Sequence, residues 1–384
     1  MTRELVTVRT ISDIQPIEGA DRIELAIVDG WQCVVNKGEF KIGDKGVYFE
    51  IDSFLPASNP AFGFLEKNFT TWRGHHGVRI RTIKLKKQIS QGLLLPLFPA
   101  FHFLSTRPDA DLAFELKVLK WERGEVVEGA PRRPKKKGLK AWVYKVAKKA
   151  RYTTLAPIFL WLEGRFPEWF KIAPEGFPDF IPKTDQERIQ NIFNRVKRED
   201  DSLGNAFTWE KSIKLDGSSM TIFHNKGRSG VCSRNLELDI RDGGNFVNTA
   251  KSTGWYDALD KMKMNVAVQG ELMGPGIQQN REGLKTFNFY VYDVYDIDAK
   301  RYLTPGGRIE FMSTMAKLGV QTQHVPILDS HFNMSSVNSV ADLLELAEGP
   351  SINAQKREGL VFKRSDGIRS FKVISNSYLL KHGD

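Results

Sequence analysis

In the stretch KSIKLDGSS, residues 211–219, the last six residues put one lysine, one carboxylate and two hydroxyls around an Asp-Gly pair. Asp-Gly ordinarily marks a hairpin turn. A turn so decorated is either a plain bend or a holder for something anionic. A lysine at its usual pKa of about 10.4 is protonated in water and no nucleophile. Burial, nearby cations or a metal can lower that value and free the amine. Lys214 is therefore the candidate nucleophile, and the backbone at Asp216 and Gly217 can approach a phosphoryl group or ribose closely. Glu271 in VQGELMG and Glu358 in REGLVFK stand at or near the edges of expected strands, each beside glycine. Lys363 and Lys372 end a strand pair near the C-terminus and add positive charge. Carboxylates that hold Mg²⁺ or its waters, with lysines for phosphate oxygens, describe a metal–nucleotide site.

These residues need a scaffold, and the pattern divides the chain in three. Residues 1–130 read as a strand-rich module: LVTVRTI, RIELAIV, WQCVV and GVYFEI are short β-type runs separated by turn signals. Such spacing suggests a small barrel or sandwich. Residues 131–180 read as a basic and aromatic linker or insertion with a short helix over 139–149. Residues 181–384 read as a mixed α+β domain. In it DQERIQNIFNRV carries Ile189, Ile192, Phe193 and Val196 at helical spacing, and PGGRIEFMSTMAKLG and SVADLLELAEG are further helices. Strands are expected in TWEKSIKL, SMTIFHN, RSGVCSR, VAVQGELM, FNFYVYDVYDI, EGLVFKR and RSFKVIS. His75 and His76 lie in an expected loop without further ligands at a metal spacing.

With 384 residues the chain is long enough for two domains. Its net charge of +10 is localised: the segment 131–151, PRRPKKKGLKAWVYKVAKKAR, holds ten Lys/Arg and no acid. The rest balances at 46 basic to 46 acidic residues. A block this basic, interleaved with Trp142 and Tyr144, suits a polyanion such as nucleic acid. No apolar run is long enough to span a membrane, and the N-terminus lacks the apolar core of a signal peptide. Two cysteines, Cys33 and Cys232, without metal-ligand spacing fit a reducing, intracellular compartment.

In order and spacing, these motifs resemble the covalent nucleotidyltransferase superfamily of polynucleotide ligases and mRNA capping enzymes. KLDGSS is similar to the nucleotidyl-lysine motif, which implies that Lys214 takes AMP. SRN, 233–235, is similar to the next motif of RNA ligases and puts Arg234 twenty residues after the lysine. The resemblance implies Glu271 on the ribose or metal-bound water, Glu358 as a metal-water partner and Lys372 as a phosphate contact. It also implies an adenine-stacking aromatic in FNFYVYDVYD: Phe289 first, Tyr292 as the alternative, on opposite faces of one strand. Ser370 stands where the family often has another lysine, and Arg369 could compensate. The chain ends 12 residues after Lys372, leaving no room for the C-terminal barrel of DNA ligases and capping enzymes. EGADRIELAIVDGWQCVV resembles instead an oligonucleotide-binding (OB) barrel placed first. That order is similar to the RNA ligases of the Naegleria/Deinococcus type, in which Arg188 of KTDQERIQN would meet the pyrophosphate side.

The resemblance thus implies an α+β fold: an N-terminal OB-like barrel, then an adenylyltransferase domain of antiparallel sheets flanked by helices. It implies ATP as substrate and Mg²⁺ or Mn²⁺ near Asp216, Glu271 and Glu358 through waters. Lys363, Gly217 and Arg234 join the expected nucleotide contacts. The expected substrate is RNA or an RNA-containing nicked duplex, handled by a monomer. Two alternatives stay open: another lysyl-nucleotide transferase, such as a GTP-using capping enzyme or a DNA ligase, or an inactive nucleic-acid-binding relative.

Overall fold

The computed structural model describes residues 4–104, 111–122, 175–204, 206–240, 243–321 and 323–382. The basic segment 131–151 and the helix expected at 139–149 lie outside the described residues.

The N-terminal strands are β1 (Val6–Thr10), β2 (Asp13–Pro16), β3 (Ile23–Val28), β4 (Trp31–Asn36), β5 (Lys45–Phe49), β6 (Ser53–Pro56), β7 (Thr70–Trp72), β8 (His75–Arg79), β9 (Thr82–Leu85), β10 (Gln88–Gln91), β11 (Leu93–Pro96) and β12 (Leu119–Lys120). They form sheets ordered β1-β5-β11, β12-β6-β8-β7 and β2-β3-β4, plus the hairpin β9–β10. Their inward residues make two apolar clusters, one around Val6, Val47, Phe49, Phe62 and Phe101, the other around Val28, Trp31, Cys33 and Tyr48. The expected barrel is present. His75 and His76 sit on a strand rather than in a loop; both are exposed, paired in register with Trp72 and Thr71.

The second domain begins with β13 (Glu175–Gly176) and α1 (Ile189–Ser202). Next come β14 (Trp209–Lys214), β15 (Ser218–Asn225), β16 (Arg228–Cys232), β17 (Leu236–Leu238), α2 (Asn245–Ser252), α3 (Trp255–Met262), β18 (Val266–Met273) and β19 (Asn288–Asp296). The chain continues through β20 (Arg301–Tyr302), α4 (Pro305–Lys317), β21 (Gln323–His324), β22 (Ile327–Phe332), α5 (Val340–Ala347), β23 (Gly359–Arg364), β24 (Ser370–Ile374) and α6 (Asn376–His382). The expected helices form where their capping chemistry allows. Thr304 caps α4 through the Gly307 amide, and Ser339 and Asp342 close a capping box on α5.

Two sheets organise this domain. One is ordered β13-β17-β16-β15-β18-β19-β20, with β21 beside β19; the other runs β22-β14-β23-β24. Strands β14 and β15 belong to different sheets. The Asp-Gly between them is therefore a crossover, and the hairpin expected from the sequence does not form. Gly217 has an ordinary negative φ, so its lack of a side chain serves close packing. A Cβ there would meet the Leu272 carbonyl at 2.6 Å and Glu271 Cγ at 2.7 Å. The larger core lies between the first sheet and helices α2, α3 and α4, around Trp255, Val268, Phe289 and Phe311.

Candidate active site

Because the crossover joins two sheets, Lys214 at the end of β14 faces the cleft between them. A cavity of about 660 Å³ opens there, lined by Lys214 to Ser219, Arg234, Glu271, Tyr292, Glu358 and Lys372. Barrel residues Asp52, Arg79, Arg81 and Lys120 complete its wall. Lys214 Nζ lies 2.7 Å from Glu358 Oε2, contributed by the residue just before β23. The pairing of β14 with β23 sets this geometry, since Lys214 is in register with Gly359.

Glu271, in the middle of β18, accepts the Gly217 amide at 3.2 Å. Burial in the cleft pushes its carboxyl up to about 7, against the pull of Lys214 and with the help of Glu358. In the unfolded chain the same group titrates near 4.5. The ligand-free fold is thus favoured by the neutral acid: the contribution is full below pH 4.5 and is lost as pH rises through 7. Its size is at most about 3 kcal/mol, reduced by whatever water screens in the open cavity. From pH 8 to about pH 5 this group should raise Tm in the unsubstituted protein, and Glu271→Gln should remove that contribution. Parallel Tm curves would refute the assignment.

Asp216 pairs with Arg281, whose Nη1 also donates to the Tyr378 hydroxyl at 2.9 Å from α6. Lys372 Nζ lies 3.0 Å from Asp185 Oδ1, and Lys120 Nζ of the barrel 2.6 Å from Asp185 Oδ2. Burial opposes ionisation of Asp185, but the two lysines hold its carboxyl well below the usual range. Arg188, buried at the N-cap position of α1, lines the cavity. Its Nε is 3.8 Å from Glu50 Oε1, and its guanidinium stands over Trp31 at 5.8 Å, so it also bridges to the barrel. Arg234 is exposed on the cavity rim.

Three sequence expectations are corrected. Phe289 is not at the cavity. It is 2 % exposed, in the core facing the helices, edge-on to Trp255 at 6.3 Å. Tyr292 faces the cavity instead, with its hydroxyl 3.1 Å from Thr184 Oγ1. A β-bulge separates the two: Gly270 pairs with Val291 and Gln269 with Asp293, leaving Tyr292 as the extra residue. Lys363 is not a cavity cation either. It is buried beneath Tyr292, bonded to the Tyr292 carbonyl and 2.6 Å from Asp293 Oδ1. Burial pushes it down to about 8 while Asp293 resists. Finally, Arg369 does not stand in for a second lysine; both its Nε and Nη2 bond Glu199, at 2.8 and 2.6 Å.

Sequence reasoning missed Lys120, Thr184, Asp185 and Arg281. Thr184 and Asp185 lie in the KTDQERIQN segment, whose Glu187 carbonyl accepts the Lys372 amide at 2.9 Å and so runs beside β24. No local signal marked Lys120 or Arg281.

A profile described as an OB-fold domain matches residues 5–97, and one described as RNA ligase matches residues 208–374. Over its whole length the chain is similar to solved structures of Naegleria gruberi RNA ligase. A lysine-to-methionine variant with AMP and Mn is 38% identical, with a TM-score of 0.82 and 100% of both chains covered. The chain belongs to the RNA ligase family. A ligand-free lysine-to-alanine variant of the Naegleria ligase is 37% identical, with a TM-score of 0.82, covering 100% of this ligase and 99% of that chain. The Naegleria enzyme with PPi is 38% identical, with a TM-score of 0.81 and full coverage of both chains. No curated protein matches this ligase.

Proposed function

We propose that this ligase uses ATP to join a 3′-hydroxyl to a 5′-phosphate, at nicks in duplexes whose 3′-hydroxyl strand is RNA. The observation that carries the reading is Lys214, held at the cavity 2.7 Å from Glu358 with Glu271 and Lys372 on the same wall. Solved Naegleria ligase complexes with ATP and Mn, at 38% identity, support the nucleotide and the metal.

Lys214 Nζ attacks the α-phosphorus of ATP; the bond to the bridging oxygen breaks and pyrophosphate leaves. The AMP is then taken by an oxygen of the RNA 5′-phosphate, breaking the P–N bond and returning the lysine. The 3′-hydroxyl finally attacks that 5′-phosphorus, and AMP leaves. Each transfer builds up negative charge on phosphoryl oxygens in the transition state, so fixed cations and donors do most of the work. Lys372, held by Asp185, is the cation set for phosphate oxygens, and Glu358 orients the nucleophile. Gly217 lets the backbone approach; Arg234 on the rim and Arg188 at the barrel side flank the nucleotide.

Among the described residues no three His, Cys, Asp or Glu side chains converge to ligate one ion directly. The separate acids Asp216, Glu271 and Glu358 therefore fit a divalent cation held through its waters. Glu271 favours this reading, because a buried acid pushed up to about 7 gains most from a nearby positive charge. Such a cation, when bound, neutralises the α-phosphate.

Tyr292 is the proposed adenine platform. Tyr292→Ala should raise KM for ATP roughly tenfold through lost stacking, and Tyr292→Phe should retain most of the affinity. Equal effects of both would assign the role to the hydroxyl. The proposed division of labour is a barrel to about residue 130, a basic junction from 131 and a transferase to 384; the transferase includes β13, and so starts a few residues before the boundary at 181 expected from the sequence. Two buried free cysteines suit a reducing, intracellular setting, and no described helix is long and apolar enough to cross a membrane.

The test is sealing of matched nicked duplexes that differ only in the sugar of the 3′-hydroxyl strand. RNA at that terminus should be sealed and DNA much more slowly; equal rates would refute the RNA preference.

A further inference from the structure

Outside the basic block the ligase is neutral on balance, yet one short segment is not. Residues 79–87, RIRTIKLKK, carry five cations and no acid. They run from the cavity wall, at Arg79, Arg81 and Thr82, into the hairpin β9–β10. Lys84, Lys86 and Lys87 are all exposed, and so are Ile83 at 47% and Leu85 at 39%.

The turn of this hairpin is costly for its sequence. Leu85 pairs with Gln88, so Lys86 and Lys87 form a two-residue loop with φ of 46° and 67°. Positive φ at both central positions is the type I′ geometry that Asn-Gly adopts with least strain. Lysines there are strained, and neither makes up for it by packing. The orientation of the hairpin is nevertheless fixed. Gln91 Nε2 at its base donates to Asn376 Oδ1 at 3.0 Å, tying it to α6, whose Tyr378 lines the same cavity.

We propose that the β9–β10 hairpin is an RNA-docking surface, over which the phosphate backbone of the substrate runs as it leaves the active site. The inference rests on the RNA ligase reading and extends it to the path of the polynucleotide. Arg79 is held by Asp52 at 2.7 Å, but the exposed row Arg81, Lys84, Lys86 and Lys87, continuous with the cavity, has no acid within its own segment and matches a phosphate backbone. Ile83 and Leu85, beside the lysines, offer apolar contact to the sugars.

The test uses the full-length ligase and a nicked duplex with an RNA 3′-hydroxyl strand. The variant combines Lys84→Ala, Lys86→Asn and Lys87→Gly, so the turn receives the residues its geometry favours. Its Tm should hold or rise, and lysyl-AMP formation from ATP alone should be unchanged. Its affinity for the nicked duplex should fall roughly tenfold, and the salt dependence of binding should lose about two to three units of slope. A triple Lys→Arg variant should keep both. Unchanged affinity and slope in the first variant would overturn the proposal and point to another partner for the hairpin, such as a protein. Binding is measured without ATP. Absence of labelling in the unsubstituted protein would therefore strike the ligase reading, while the binding comparison still decides this one.

Discussion

Lys214→Ala is expected to abolish covalent AMP transfer, lowering sealing of a 5′-phosphorylated nick by about a thousandfold or more, as loss of a covalent nucleophile does. In the proposed mechanism the substitution removes the atom that bonds to phosphorus in the first step. It leaves the cavity wall intact, because β14 is held by backbone pairing with β23 and β22. Fold and ATP binding should therefore survive. Glu358 would lose its 2.7 Å partner and remain as an uncompensated acid on the cavity wall. A decisive refinement is a pre-adenylylated nick, on which AMP is already carried by the 5′ end. The variant should seal that substrate far better than the plain nick, since only the final transfer remains. Equal impairment on both would mean that Lys214 serves the last step or the fold rather than the first.

The second large effect concerns stability. Arg308 is fully buried, its Nη2 2.6 Å from Glu210 Oε1 and its Nε 2.7 Å from His324 Nε2. Its Nη1 lies 3.9 Å from Asp293, which also holds Lys363. These side chains come from β14, β19, β21, β23 and α4, so one cluster of charges joins the two sheets that flank the cavity. Burial, with the neighbouring cation Arg308, keeps His324 neutral by pushing it down to about 3. Arg308→Met would leave Glu210 with no cation of its own in a buried setting, at a cost of about 3–5 kcal/mol. Thermal denaturation should show Tm lower by roughly 10 °C. Adding Glu210→Gln should recover a good part of the loss, because the stranded charge is gone. If the double variant is no more stable than the single one, the penalty comes from packing and not from charge.

Most of the fold was legible in the sequence because the second domain is locally consistent. Thr304 before Pro305 and Ser339 before Val340 are caps that mean the same thing in isolation as in the fold. Lys214, Glu271, Glu358 and Lys372 were found because their motifs are contiguous, and the structure brings them to one cavity. What the sequence concealed were relations between distant segments. The Asp-Gly pair resembles a hairpin turn until the partners of β14 and β15 are known. Alternation puts Phe289 and Tyr292 on opposite faces of β19, but only the packing of the helices on one face shows which of them is left to the cavity. Lys363 looked like a phosphate ligand because a lysine in a strand says nothing of depth. Lys120 and Asp185 lie 65 positions apart, and only the packing of barrel on transferase makes them neighbours.

The central claim is that Lys214 accepts AMP from ATP. The most direct measurement incubates the purified protein with ATP labelled at the α-phosphate and a divalent metal, isolates the labelled protein and maps the adduct by mass spectrometry. One AMP on Lys214, formed with ATP and not with GTP, and absent from Lys214→Ala, is the predicted result. An adduct on another residue, or equal labelling by GTP, would contradict it.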